Sequence, residues 1–72
     1  MAVSSAKEAQ AHAQSALAGS PIYALRELQV EQVGDSLLIS GRVDTFYHKQ
    51  LAQEAVRTAA ADLEVINSID VQ

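Results

Sequence analysis

Two histidines, one serine and a pair of carboxylates are the residues whose chemistry would first suggest catalysis or metal binding. The imidazole of His12 or His48 would suit a metal ligand or a protonation switch, but neither histidine has a second ligand four residues further on. Ser40 does not stand in the G-x-S-x-G turn that exposes a nucleophile. Asp62 and Glu64 are interpreted as solvated carboxylates at a helix end. We therefore predict no catalytic residues, no metal site, no cofactor and no enzyme activity.

Composition and charge exclude further classes of protein. The 72 residues carry a formal net charge of −4 without a basic run, so attraction to a phosphate backbone is weak and nucleic acid is not an expected partner. Three isolated glycines cannot build a phosphate-cradling loop, and the absence of cysteine excludes disulfides and thiolate metal sites. No stretch approaches the roughly 18 apolar residues of a membrane span. We expect a cytoplasmic protein for the chain as given, or an envelope or periplasmic domain if it is cut from a longer precursor.

A βαβ unit is predicted where the apolar spacing changes twice. Apolar residues alternate over positions 37–43, recur at helical spacing over 52–59 and alternate again over 63–71. Asp44 or Thr45 is the expected N-cap, and the helix is expected to run to about Ala60. A strand, a helix and a second strand therefore follow one another without long loops.

A hairpin is predicted before this unit. The stretch 27–33 alternates well enough for a strand, and Gly34-Asp35 suits a two-residue connection to the strand that starts at Ser36. Because Gln32 and Val33 are out of phase with the rest of the strand, we expect a bulge or a longer loop near them.

The N-terminal segment is rich in alanine and predicts a helix from Ser4 to Ala18. Gly19 and Pro21 end it, and Ser20 is a candidate cap for one further turn. Since its inner stripe holds a single large side chain, we interpret residues 1–16 as a helical extension whose first turns fray, and residues 17–72 as the folded domain.

Small residues predict close packing between the second helix and the sheet. Ala52, Ala55 and Ala59 are expected at the centre of the buried stripe, with Leu51 and Val56 at its edges. Gly41 is expected to face these alanines, where its missing Cβ would let the helix approach. Asn67 shares the strand phase of Val65 and Ile69, and we expect its amide to tie the strand to a helix end or loop.

The order and spacing of these elements resemble the BON domain, named for bacterial OsmY and nodulation proteins. The resemblance covers about Leu17 to Val71 and rests on a Leu-Ser-Gly-x-Val element and a closing Val-x-Asn-x-Leu-x-Val strand, matched here by Ile39, Ser40, Gly41 and Val43 and by Val65, Asn67, Ile69 and Val71. It implies an α+β fold for the BON-like domain at 17–72: an αββαβ two-layer sandwich in which a three-stranded mixed sheet packs on two helices. It also implies binding to phospholipid, to an envelope surface or to a protein partner.

Two surfaces are candidates for such binding. The first is a stripe opposite the alanine face of the second helix, formed by Phe46, Lys49, Gln53 and Arg57, where an apolar ring stands beside two cations. The alternative is an ordinary solvated helix face with Phe46 folded over the cap. The second surface is the open sheet face around Leu38 and Ile66, which is either ordinary exposed sheet or a site of dimerisation or β-edge pairing.

These observations predict a non-enzymatic binding module that docks through the exposed face of the second helix. The alternative is a structural or assembly module that self-associates through the sheet face or the N-terminal helix. Because the net charge is negative, attachment to anionic membranes cannot be purely electrostatic, which gives weight to a protein partner. We expect a monomer with at most weak self-association.

Overall fold

The structure is a computed structural model that describes residues 5–72, with side chains from residue 8 onward. Three helices and two small sheets account for most of the described chain. The elements are α1 (Ser5–Ala18), α2 (Tyr23–Arg26), β1 (Gln29–Val33), β2 (Ser36–Ser40), β3 (Arg42–Val43), α3 (Phe46–Ala59), β4 (Glu64–Asn67) and β5 (Asp70–Val71).

The main sheet has the order β1-β2-β4, and its mixed character confirms the predicted α+β fold. β1 is antiparallel to β2, whereas β2 and β4 are parallel and joined through α3, which is the predicted βαβ unit. Each of the two longer predicted strands is interrupted, and the short segments beyond the interruptions, β3 and β5, pair in parallel as a second sheet. The three-stranded mixed sheet therefore stands as predicted, with the added turn α2 and a small second sheet beside it.

The β1–β2 hairpin is regular to its tip. Val33 lies opposite Ser36, so Gly34 and Asp35 form a two-residue turn as predicted. Gly34 has a φ of +60°, whereas no residue other than glycine in the described chain has a positive φ, so Asp35 has a negative one. A two-residue turn with a positive φ at its first residue alone is typical of type II′. The bulge expected near Gln32 is wrong, because the departure from alternation reflects a half-buried glutamine that bonds to α1 and not a slip in register.

α3 begins where the capping chemistry indicated. Thr45 is the N-cap, and its hydroxyl oxygen accepts a hydrogen bond from the His48 backbone N–H at 3.1 Å. The centre of the buried stripe differs from the expectation: Ala52 and Val56 are fully buried, whereas Ala55 and Ala59 are only partly buried. The helix is therefore rotated so that the branched Val56 side chain, and not a row of alanines, faces the middle of the core.

Gly41 contacts a different partner from the one expected. It separates β2 from β3 and has a φ of +131°, in the region that favours glycine. A Cβ at this position would lie 2.6 Å from Cδ2 of Leu28, and the nearest atoms all belong to Leu28 and none to α3. The interpretation that Gly41 admits the alanines of α3 is wrong; Gly41 is needed for its backbone conformation and for the space beside Leu28.

α1 packs against both α3 and β1, so the boundary placed after residue 16 falls inside a continuous helix. Ala13 and Leu17, on either side of it, are both fully buried in the one core. Small side chains let α1 lie close to α3 and β1. This close packing supplies contacts that larger side chains would otherwise provide. Fraying was predicted for the first turns of this extension; residues 1–4 lie outside the described residues, and from Ser5 to Ala18 the chain is helical.

Side-chain amides of α1 cover the outer edge of β1. Gln14 donates from Nε2 to the Leu28 carbonyl oxygen and accepts at Oε1 from the Val30 N–H, both at 2.9 Å. One turn earlier, Oε1 of Gln10 accepts from the Gln32 N–H at 3.0 Å. These bonds satisfy main-chain groups that an unpaired edge strand would present to another chain.

Candidate functional site

None of the three aromatic side chains of the protein is in the core. Tyr23, Phe46 and Tyr47 are 70%, 73% and 66% exposed, respectively. The start of α1 and the end of α3 line one crevice, so these two helices are antiparallel and the end of α1 lies near the start of α3. α2 follows the end of α1 and packs against α3. The three rings therefore lie at the same end of the molecule, which we call the aromatic end.

Two of these rings pair with a cation one helical turn further on. Nζ of Lys49 lies 6.0 Å from the Phe46 ring centroid, and Cζ of Arg26 lies 5.8 Å from the Tyr23 ring centroid. Both pairs have i, i+3 spacing, which places the side chains on one helix face. Such cation–π contacts hold an apolar ring and a positive charge side by side on an accessible surface. The alternative in which Phe46 folds back over the cap does not describe its 73% exposure.

The charges of the described chain are unevenly distributed between the aromatic end and the rest. At the aromatic end, the basic residues Arg26, Arg42 and Lys49 are matched in number by the acidic residues Glu27, Asp44 and Asp70. The rest of the described chain holds two basic residues, Lys7 and Arg57, and six acidic residues, Glu8, Glu31, Asp35, Glu54, Asp62 and Glu64. The negative charge of the protein therefore does not accumulate where the rings are exposed.

The stripe predicted along α3 divides into two parts. Phe46 and Lys49 belong to the aromatic end, whereas Gln53 and Arg57 line a groove between α3 and β4. Lys49 and Gln53 are only partly exposed, so the stripe lies on the flank of α3 beside β4 and not opposite the buried face. Only Phe46 and Arg57 among its members are exposed.

Asn67 explains why Gln53 is held. Its Nδ2 donates to the Lys49 carbonyl oxygen and to Oε1 of Gln53, both at 3.1 Å, and its Oδ1 accepts from the Ile69 N–H at 3.1 Å. The predicted tie between the closing strand and a helix is thus confirmed. The amide of Gln53 is engaged inside the domain and is less suited to a partner than its sequence position indicated.

The sheet face opposite the helices carries the second predicted surface. Leu38 and Ile66 are direct neighbours in the parallel β2–β4 register, with Glu31 beside Leu38 on β1. Ile66 is 41% exposed, while Leu38 is partly covered. Serines and carboxylates surround the pair, so the apolar patch is small and lies toward the β4 edge.

The histidines do not form a metal site with neighbouring ligands. Within the part of the chain that the structure describes, no group of three or more His, Asp or Glu side chains is placed to hold a metal ion. His48 is partly buried, its ring centroid lies 5.9 Å from that of Tyr47, and its Nδ1 has no hydrogen-bond partner among residues 5–72. His12 is exposed near the end of α3. The two imidazoles therefore sit at different ends of the helical layer.

Sequence reasoning missed three contributors to these surfaces. Tyr23 and Arg26 have the i, i+3 spacing of a helix-surface pair, but the turn that holds them is four residues long and gives almost no periodic signal. Tyr47 was missed because the predicted stripe follows a single face of α3. At the end of a helix, residues on all faces of the first turn contribute to the surface.

Comparisons with protein-family models, curated proteins and solved structures gave no match. The BON-like interpretation thus stays a prediction. Over the described residues, no helix is both long enough and apolar enough to cross a membrane.

Proposed function

We propose that this protein is a non-enzymatic binding module that docks peripherally on an anionic phospholipid surface through its aromatic end. The observation that supports the proposal is Phe46, which is 73% exposed and lies beside the Lys49 ammonium group. A large exposed ring next to a cation suits the boundary between lipid headgroups and acyl chains, because the ring enters the apolar layer while the charge stays at the headgroups.

The charge distribution is compatible with this orientation. The aromatic end has no net formal charge, so it approaches an anionic surface without the repulsion that the net charge of −4 would suggest. The acidic groups lie mainly over the remainder of the domain and would point away from the surface. Since each cation near an anionic surface contributes only about 1 kcal/mol, most of the affinity has to come from the rings.

Vesicle binding tests the proposal directly. We expect the wild-type protein to sediment with vesicles of phosphatidylglycerol and phosphatidylcholine, and its Phe46, Tyr47 and Lys49 amide signals to shift. Fully burying a phenylalanine side chain is worth about 1.5–3 kcal/mol, so Phe46→Ala should weaken binding about tenfold or more. Val33→Ala is the matched control, because Val33 is an exposed apolar residue at the hairpin, distant from the aromatic end.

Two results would contradict lipid docking. Absence of amide shifts at any lipid concentration would remove the membrane surface as the ligand, and equal losses from Phe46→Ala and Val33→Ala would remove the aromatic end as the site. In the first case a protein partner becomes the better candidate, since exposed tyrosines and arginines are enriched in protein interfaces. The lipid proposal applies equally to a cytoplasmic membrane face and to an envelope surface.

A further inference from the structure

The two edges of the main sheet are treated differently. The outer edge of β1 is covered by Gln10 and Gln14 of α1, which bond to its main-chain groups. In the described chain no strand pairs with the outer edge of β4. A sheet that covers one edge with specific hydrogen bonds and leaves the other without a neighbouring strand has one place where another chain can add to it.

The main-chain groups on the outer edge of β4 can be assigned from the bonds on its inner side. The N–H groups of Ser68 and Asp70 donate toward the neighbouring strand, to Ile39 and Gly41 carbonyl oxygens at 2.9 Å. Because successive residues of a strand alternate in direction, the N–H and C=O groups of Val65 and Asn67 point to the outer edge. The next outward N–H, that of Ile69, already bonds to the Asn67 side chain.

A groove runs beside this edge, between α3 and β4. It has a volume of about 560 Å³ and is lined by Gln53, Glu54, Arg57, Leu63, Glu64 and Val65. The lining combines a cation, two carboxylates and aliphatic side chains. A surface that carries both signs of charge is compatible with a copy of itself, whereas it offers no net charge to select a strongly acidic or basic peptide.

We propose that the occupant of this edge is a second copy of the chain, paired antiparallel through β4 about a two-fold axis at Ile66. In this register each Val65 faces the second copy's Asn67 and exchanges main-chain hydrogen bonds with it, while the two Ile66 residues form the central non-hydrogen-bonded pair. The outward groups of Val65 and Asn67 are those that the register uses.

Side chains on the sheet face favour this register over its neighbour. With Ile66 on the axis, the apolar row of the sheet extends from Leu38 through both Ile66 side chains to the second copy's Leu38, and Glu64 faces Ser68. Centring the pair on Val65 would instead place Glu64 opposite Ile66 and divide the row. Cross-strand apolar pairs stabilise a sheet and mismatched ones do not, so the Ile66-centred dimer forms.

The interface is small, which sets the strength of the association. β4 has four residues, and a strand of that length spans only about 13 Å. Interfaces of this size belong to the weak class, so the dimer dissociates on dilution and dominates only in concentrated solution or where the protein is locally enriched. This proposal does not depend on lipid docking, because none of the aromatic-end residues takes part in the β4 edge.

Single-cysteine variants test the register, because the chain has no cysteine of its own. Ile66→Cys would bring two Cα atoms to about 4.5 Å, within the range of a disulfide, and we expect a covalent dimer under mild oxidation. Glu64→Cys is the matched control on the same strand and face, where the two Cα atoms would lie about 14 Å apart. Equal cross-linking rates for the two variants would overturn the proposal.

Sedimentation equilibrium tests the association without a covalent bond. We expect the average mass to rise from the 7.7 kDa monomer toward twice that value up to millimolar concentration, and Ile66→Glu to weaken association at least tenfold. Val33→Glu introduces the same charge at an exposed apolar position on β1 and should leave association unchanged. A wild-type protein that stays monomeric at every concentration would overturn the proposal. That holds also if the amide signals of β4 shift when an extended peptide is added.

Discussion

Replacing Gly41 by alanine should strongly destabilise the domain, because the new Cβ meets two obstacles at once. Gly41 has a φ of +131°, and holding a non-glycine residue in such a sparsely populated region costs about 1–3 kcal/mol. The Cβ would also lie 2.6 Å from Cδ2 of Leu28, a side chain that is only 1% exposed and has no solvent into which to move. Overpacking of this kind costs about 1–3 kcal/mol.

Alanine restricts the unfolded chain more than glycine does, which returns about 0.4–1 kcal/mol. We therefore expect Gly41→Ala to lower the free energy of unfolding by about 2–5 kcal/mol. At about 0.05–0.15 kcal/mol per residue, a domain of 72 residues has only about 4–11 kcal/mol in total. The variant should therefore lose a large fraction of the stability of the domain.

Urea denaturation followed by far-ultraviolet circular dichroism measures this loss, since the chain has no tryptophan for fluorescence. Gly34→Ala is the matched control: Gly34 also has a positive φ, of +60°, but a Cβ there would have no atom within 4 Å. It should carry the backbone strain alone, about 1–2 kcal/mol, before the unfolded-state gain. A Gly41→Ala variant no less stable than Gly34→Ala would refute the steric part of the reasoning.

A double-mutant cycle with Leu28→Val identifies the contact itself. Valine lacks the Cδ atoms of leucine, so Gly41→Ala should cost less in the Leu28→Val background, with a coupling energy of about 0.5–3 kcal/mol. An equal cost in both backgrounds would show that Leu28 is not the obstacle and that backbone strain at Gly41 accounts for the loss.

Three further substitutions test the ties that hold the elements together. Thr45→Ala should lower stability by about 1 kcal/mol through loss of the N-cap bond to His48, whereas Thr58→Ala, exposed on the same helix, should change it little. Asn67→Ala should lower stability by about 1–3 kcal/mol because its three partners lose their bonds, and an effect no larger than that of Ser68→Ala would contradict the tie. Gln14→Ala should accelerate hydrogen exchange at the Val30 amide while Ser15→Ala does not, since only Gln14 accepts from that N–H.

The elements that the sequence predicted well are those whose signals are local. Alternation at 36–43, helical spacing at 52–59 and the threonine at position 45 depend on neighbours within one turn or one strand, so a single pass along the chain reveals them. The hairpin turn belongs to the same class, because Gly34-Asp35 specifies it without reference to the rest of the fold.

The features that sequence reasoning missed depend on which elements meet. Alternation predicts one strand through Gly41, and reveals neither that the strand is interrupted there nor that Leu28 lies beside it. Gln10 and Gln14 are four residues apart on α1, a spacing that is visible, yet it gains a meaning only when α1 lies along β1. The burial of Val56 likewise depends on tertiary packing, because α3 packs against α1 and Val56 shares one core with Ala13 and Leu17 of that helix.

The exposure of all three aromatic rings is the feature of this chain that packing explains least. A domain this small buries a limited core, and here the core is filled by aliphatic side chains alone. An aromatic ring would add more buried area than any of them. Because Tyr23, Phe46 and Tyr47 stay exposed, most of the free energy that burial of their rings would contribute to folding is not gained. Solubility alone would favour polar residues at such accessible helix positions, since exposed apolar side chains promote aggregation. The three rings lie at one end of the molecule and two of them lie beside cations, so the proposed docking surface would account for their exposure, and the vesicle experiment tests whether that surface is lipid.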